Sequence, residues 1–135
     1  MDLEKVKTWL DLCPFLQMDL MQVDTTQDWP VSAGLYPQGM KLVKEAEDVA
    51  GGRKCRIRQT YLLRCAMLEG EEAAKRLQQI QNWIFTQNLS GITPGLGAKE
   101  IVRGEDGRLE RASQVGMSLY ALTLTVEFDV DKEGA

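Results

Sequence analysis

Apolar residues in this 135-residue chain recur first at helical spacing, then at alternate positions, then at helical spacing again and finally at alternate positions. Helices repeat about every 3.6 residues and strands about every 2, so the succession spells helix, hairpin, helix, hairpin. Each amphipathic element must bury its apolar side against another. The arrangement that does so in this order is an α+β fold: a mostly antiparallel sheet of about four to five strands with two helices packed on one face. A chain of this length can bury roughly two thirds of its unfolded surface, which supports one domain over residues 1–135.

In the first helix, over residues 2–13, Leu3, Val6, Leu10 and Cys13 line one side and Trp9 and Leu12 flank them. Asp2 offers its carboxylate to the opening amides, and Pro14 prevents continuation. The second helix covers residues 70–88, with Ala73, Leu77, Ile80 and Ile84 spaced four, three and four and Trp83 and Phe85 widening the apolar arc. Glu71 and Glu72 sit at the positive end of its dipole. Buried, a large apolar side chain contributes about 1.5–3 kcal/mol, which makes Leu77, Ile80 and Ile84 candidate anchors of the core.

The strand-like runs are less uniform. Asp19–Thr25 alternates loosely and suits a short edge strand, whereas residues 29–39 hold two prolines and two glycines and favour a surface connection. Residues 40–67 form a hairpin around Gly51-Gly52, a pair that tolerates the positive φ of a tight turn. With those glycines at the turn centre, Glu47 faces Arg56, Glu45 faces Arg58, Ala46 faces Ile57 and Leu42 faces Tyr61. Charges then meet on one face and apolar groups on the other. The strongest strand runs from Tyr120 through Leu122, Leu124, Val126, Phe128 and Val130, alternating with polar residues. Asp106-Gly107 is either the tip of the second hairpin or part of a longer excursion ending near Gly116.

The chemistry available is narrow. The chain has no histidine, so catalysis would fall to carboxylates, thiols or lysines. Ser32, Ser90, Ser113 and Ser118 lie in unrelated contexts, none in a nucleophile elbow. Cys13, Cys55 and Cys65 have neither metal-site spacing nor a histidine partner, and read as free thiols in a reducing compartment. Residues 88–97 are glycine-rich but lead into a strand-like run without the lysine and hydroxyl of a phosphate loop. The opening residues carry no signal-peptide or membrane-spanning pattern. These features predict a protein that is not an enzyme, has no cofactor, metal or small-molecule substrate, and does not enter a membrane.

Twenty acidic against sixteen basic groups leave a net charge of −4, which argues against a dedicated nucleic-acid binder and leaves any DNA contact at most indirect. The alternate basic residues Lys54, Arg56, Arg58 and Arg64 form the most prominent charged stripe. Cross-strand pairing with Glu45 and Glu47 accounts for Arg56 and Arg58 and leaves Arg64 unmatched. Glu127, Asp129 and Asp131 form an acidic row on the last strand.

The segments Trp9-Leu10-Asp11-Leu12-Cys13-Pro14 and Ala33-Gly34-Leu35-Tyr36-Pro37-Gln38-Gly39, with Leu96-Gly97 after the second helix, resemble small proteins of tailed bacteriophages and prophages. Those proteins are minor capsid or tail-completion proteins similar to the tail terminator family. The resemblance implies a virion protein, made in the host cytoplasm, that assembles as a ring, usually a hexamer, on the tail tube. It ends tube polymerisation and helps join tail to head, so its partners are its own copies and the tail-tube and head-completion proteins. The family has no catalytic residues to carry over. Gly34, Leu35, Tyr36 and Pro37 then become a candidate partner-binding loop. A ring needs two different patches that meet, and Arg56, Arg58 and Arg64 against Glu127, Asp129 and Asp131 are candidates if they lie on opposite sides of the protomer. The alternative is a non-catalytic binding module or adaptor that recruits a partner through an open sheet edge.

Overall fold

The computed structural model describes residues 3–18, 31–47, 53–68, 71–111 and 117–131. In chain order these form helix α1 (Leu3–Leu10), strands β1 (Leu16–Met18), β2 (Val31–Glu47) and β3 (Arg53–Leu68), helix α2 (Glu71–Leu89), and strands β4 (Ala98–Arg111) and β5 (Met117–Asp131). The sheet order is β1-β2-β3-β5-β4. The four long strands are antiparallel, and three-residue β1 joins β2 in parallel at Val31–Ala33. The chain is thus α+β, an open four-stranded antiparallel sheet with two helices, of which α2 packs against the sheet. Asp19–Thr25 falls outside the described residues.

The centre of the sheet is the β3–β5 ladder, unbroken from Lys54 opposite Asp131 to Leu68 opposite Met117. Strict alternation makes each of these strands two-faced. Tyr61, Leu63 and Cys65 of β3 and Leu122, Leu124 and Val126 of β5 are buried on the side of the helices, in one core cluster with Ala73, Leu77, Ile80 and Ile84 of α2. The second helix therefore buries the residues its spacing selects. Phe85 does not widen the buried arc; it is 63% exposed, whereas Trp83 packs against Trp9 with ring centroids 4.9 Å apart.

Helix α1 is shorter than its apolar spacing predicts. After Leu10 the backbone tightens, with Leu12 N–H donating to Trp9 O and Cys13 N–H to Leu10 O. This three-residue repeat keeps Cys13 buried but turns Leu12 outward, 61% exposed. At the far end of α2, Gly91 adopts φ 73° while Gly91 N–H donates to Asn88 O and Ile92 N–H to Gln87 O. That pair of bonds satisfies carbonyls the helix leaves open. The Ile92 carbonyl in turn accepts from Trp9 Nε1 at 2.9 Å, which ties the two helices together.

Two expectations are corrected here, and an alternative left open is narrowed. Residues 31–39 are strand, the first half of β2, because Ala33 and Leu35 alternate into the core and Pro37 lies where β2 has no partner among the described residues on the side away from β3. The β2–β3 hairpin exists, but its register is three residues away from a two-glycine turn: Glu47 faces Arg53, Glu45 faces Cys55, Lys44 faces Arg56 and Leu42 faces Ile57. Extra residues at Gln38 and Val43 shift it further along the strand. Asp106-Gly107 is a bulge inside β4, with Asp106 at φ 57° and the two residues together opposite Leu122. Turn-forming chemistry is shared by bulges, which is why the local sequence did not separate them.

Candidate interaction surface

The helices lie on one side of the sheet, and no described element covers the other. Alternation places Arg56, Arg58 and Arg64 of β3 on that uncovered face, beside Glu127 and Asp129 of the neighbouring strand β5. Arg56 Nε donates to Glu127 Oε1 at 2.8 Å and Nη1 to Asp129 Oδ1 at 2.9 Å. Arg58 Nε donates to Glu127 Oε2 at 3.2 Å. The Arg56 fork also reaches the Lys99 carbonyl, at 3.2 Å from both Nη1 and Nη2. Lys99 is held at φ 51° in a bulge of β4, where Lys99 and Glu100 together oppose Phe128.

These pairs shift ionisation as expected for partly covered charges. Hydrogen bonding from Arg56, then from Arg58, holds the Glu127 carboxyl below its ordinary value, and bonding to Asp129 and Glu127 raises Arg56. Arg64 is also matched. Its Nε lies 2.8 Å from Glu110 Oε1, an ion pair whose N–H is not aligned as a hydrogen bond, and its guanidinium stacks 4.9 Å from the centre of the Tyr36 ring.

Arg56 and Arg58 of the basic candidate patch and Glu127 and Asp129 of the acidic one are therefore neighbours on adjoining strands and pair with each other within one protomer. They do not lie on opposite sides of it. Arg56 and Arg58 are ion-paired as charge alternation predicts, but with Glu127 and Asp129 and not with Glu47 and Glu45. Asp131 stands opposite Lys54 in the register, and its side chain lies outside the described set. Gly34, Leu35, Tyr36 and Pro37 sit on β2: Gly34 and Leu35 are buried, Tyr36 and Pro37 exposed. Sequence order could not show that β5 lies next to β3. The shared two-residue spacing of Arg56/Arg58 and Glu127/Asp129 is the signal that pointed there.

Exposed apolar groups lie apart from these ion pairs. On β2, Met40 is 63% and Leu42 50% exposed, with Val43 beside them. Towards the end of α2, Phe85 and Leu89 are exposed one turn apart, and Ile92 is exposed beyond the helix. Sequence reading assigned the first group to pairing and Phe85 to the core, so both were missed.

Buried reactive groups offer little chemistry. Burial pushes the Cys13 thiol up to about 11 and the Cys65 thiol up to about 12. Tyr61 O–H donates to Gln59 Oε1 inside the core. Among the described residues, no group of three or more Cys, Asp or Glu side chains is placed to hold a metal ion, and no helix is long and apolar enough to cross a membrane. No known protein family matches the chain, and no curated protein matches it significantly.

Proposed function

We propose that this chain is a structural protein of a tailed-phage virion, tail-terminator-like in architecture, that caps the tail tube and helps join it to the head as a ring of identical copies. The observation that carries the reading is the presence of two unlike groups of exposed apolar residues, Met40, Leu42 and Val43 on β2 and Phe85, Leu89 and Ile92 along and just past the end of α2. Exposed apolar groups on a small body mark contacts with other proteins. Two different patches on one chain suit the heterologous contacts that close a ring. The charged face adds support of another kind: Arg56, Arg58 and Arg64 are engaged in ion pairs within the protomer, which suits a body that works by shape. The resemblance of its short motifs to those of tail-completion proteins points the same way.

The test is electron microscopy of tails assembled with and without the protein. Overlong tubes lacking heads are expected in its absence. Tails of normal length that still join heads would overturn the reading, and a stable complex with a protein unrelated to virions would replace it with an adaptor role.

A further inference from the structure

The uncovered sheet face carries two cross-strand rows of charge, and both are incomplete at the same end. Register places Lys41 beside Arg58 and Arg58 beside Glu127; one row further, it places Lys44 beside Arg56 and Arg56 beside Asp129. Each row thus holds two cations and one carboxylate, and the carboxylate stands on the β5 side. Glu127 and Asp129 are engaged by the two arginines. Lys41 and Lys44 are exposed, and neither has an ion-pair partner among the described residues. Like charges directly opposite each other in a sheet repel, so both rows favour a carboxylate on the far side of β2.

Among the described residues, that far side is open. Strand β1 pairs β2 only as far as Ala33, and beyond it no described strand lies against residues 34–47. On the opposite face of the same stretch, Met40 and Leu42 are exposed. A strand laid there would need carboxylates at alternate positions on one face and apolar side chains on the other. The protein already contains such a strand on the other side of the arginines: Val126-Glu127-Phe128-Asp129-Val130 of β5 turns its acids to the arginine row and its apolar residues to the core. The other rim, β4, is a poor site for strand addition, because three bulges break it and its exposed charges are of both signs.

We propose that the open rim of β2 receives an extended acidic segment of a partner protein, which adds to the sheet as a further strand and sets carboxylates beside Lys41 and Lys44. The inference rests on the assembly reading above for the nature of the partner. Backbone hydrogen bonds along the rim supply affinity, and the lysine row selects alternating acids over other sequences.

The experiment uses the full chain and a fluorescein-labelled synthetic peptide alternating Glu with Val, with binding read by anisotropy and amide hydrogen exchange. Expected are saturable binding, slowed exchange confined to residues 34–47, and affinity that falls about tenfold or more in the Lys41→Glu, Lys44→Glu double variant and falls with added salt. Both positions are exposed, so a thermal melt of the variant close to the parent's is expected alongside. A peptide of the same composition with its acids in one block, and duplex DNA, serve as controls. Equal binding of the blocked peptide, binding of duplex DNA alone, protection of β4 in place of β2, or indifference to the lysine changes would each overturn the proposal. Absent peptide binding with overlong tails in the deletion removes only this inference. Peptide binding with normal tails in the deletion removes only the capping role.

Discussion

Substitution Gly104→Ala tests how α2 meets the sheet. A Cβ built at Gly104 falls 2.7 Å from Ile84 Cδ1 and 3.3 Å from Leu122 Cδ2, and both side chains are fully buried. The backbone at Gly104 is not in the left-handed region, so the conflict is one of volume and not of conformation. Overfilling a packed core costs about 1–3 kcal/mol. Restricting the unfolded chain returns about 0.4–1 kcal/mol when glycine becomes alanine. The expected net loss is therefore about 0.5–2 kcal/mol. Ile84→Val deletes the very methyl that the new Cβ strikes, and alone costs about 0.5–1.5 kcal/mol through the void it leaves. Together the two changes exchange one methyl for another in nearly the same space. The double variant should then be more stable than the sum of the singles predicts by about 1 kcal/mol or more, measured from urea denaturation followed by circular dichroism. Additivity within about 0.5 kcal/mol would show that Gly104 and Ile84 do not share that space, and the packing argument would fail.

Trp9→Phe should cost about 1–2 kcal/mol, because it leaves the Ile92 carbonyl without its donor, and Trp9→Ala about 3–5 kcal/mol; chemical denaturation measures both. Glu127→Gln should destabilise the protein at neutral pH and lessen its acid sensitivity. The native carboxyl of Glu127 titrates below the ordinary 4.5, so its contribution is full above that value and is lost as pH falls through the lowered one. Melts of parent and variant should accordingly converge at the acid end, and a constant offset across the range would contradict the assignment. Cys13, Cys55 and Cys65 are all buried, and burial holds the thiols of Cys13 and Cys65 in the protonated form at pH 8. A thiol-reactive disulfide reagent should leave all three untouched in the native protein and label them on unfolding; rapid native labelling would place one of them at the surface.

Local periodicity was sufficient for the elements that carry the core. The spacing of Ala73, Leu77, Ile80 and Ile84 selects the buried side of α2, and the alternation from Tyr120 to Val130 selects the buried side of β5, because both follow from backbone geometry within a few residues. Periodicity misplaced what depends on irregular backbone. Pro37 and Gly39 read as a connection although the strand passes through them, and Asp106-Gly107 read equally as a hairpin tip or as part of a longer excursion, whereas the strand continues past it through a bulge. The same residues that permit a reversal also permit one extra residue in a ladder, and only the partner strand decides between the two.

The charged surface was legible as composition and illegible as pairing. Alternate arginines and alternate carboxylates are written in the chain, and so is the two-faced nature of their strands. Which row meets which depends on β5 lying between β3 and β4, a contact between residues some seventy positions apart. That neighbourhood cancels Arg56 and Arg58 against Glu127 and Asp129 and leaves Lys41 and Lys44 exposed on β2 without an ion-pair partner among the described residues. The amino-acid order by itself determined α2 and β5 and the sides on which their core residues lie, since those depend on the nearest few residues. Strand order, register and the location of unspent charge were decided only by the folded sheet, because cross-strand neighbours are set by the packing of the whole.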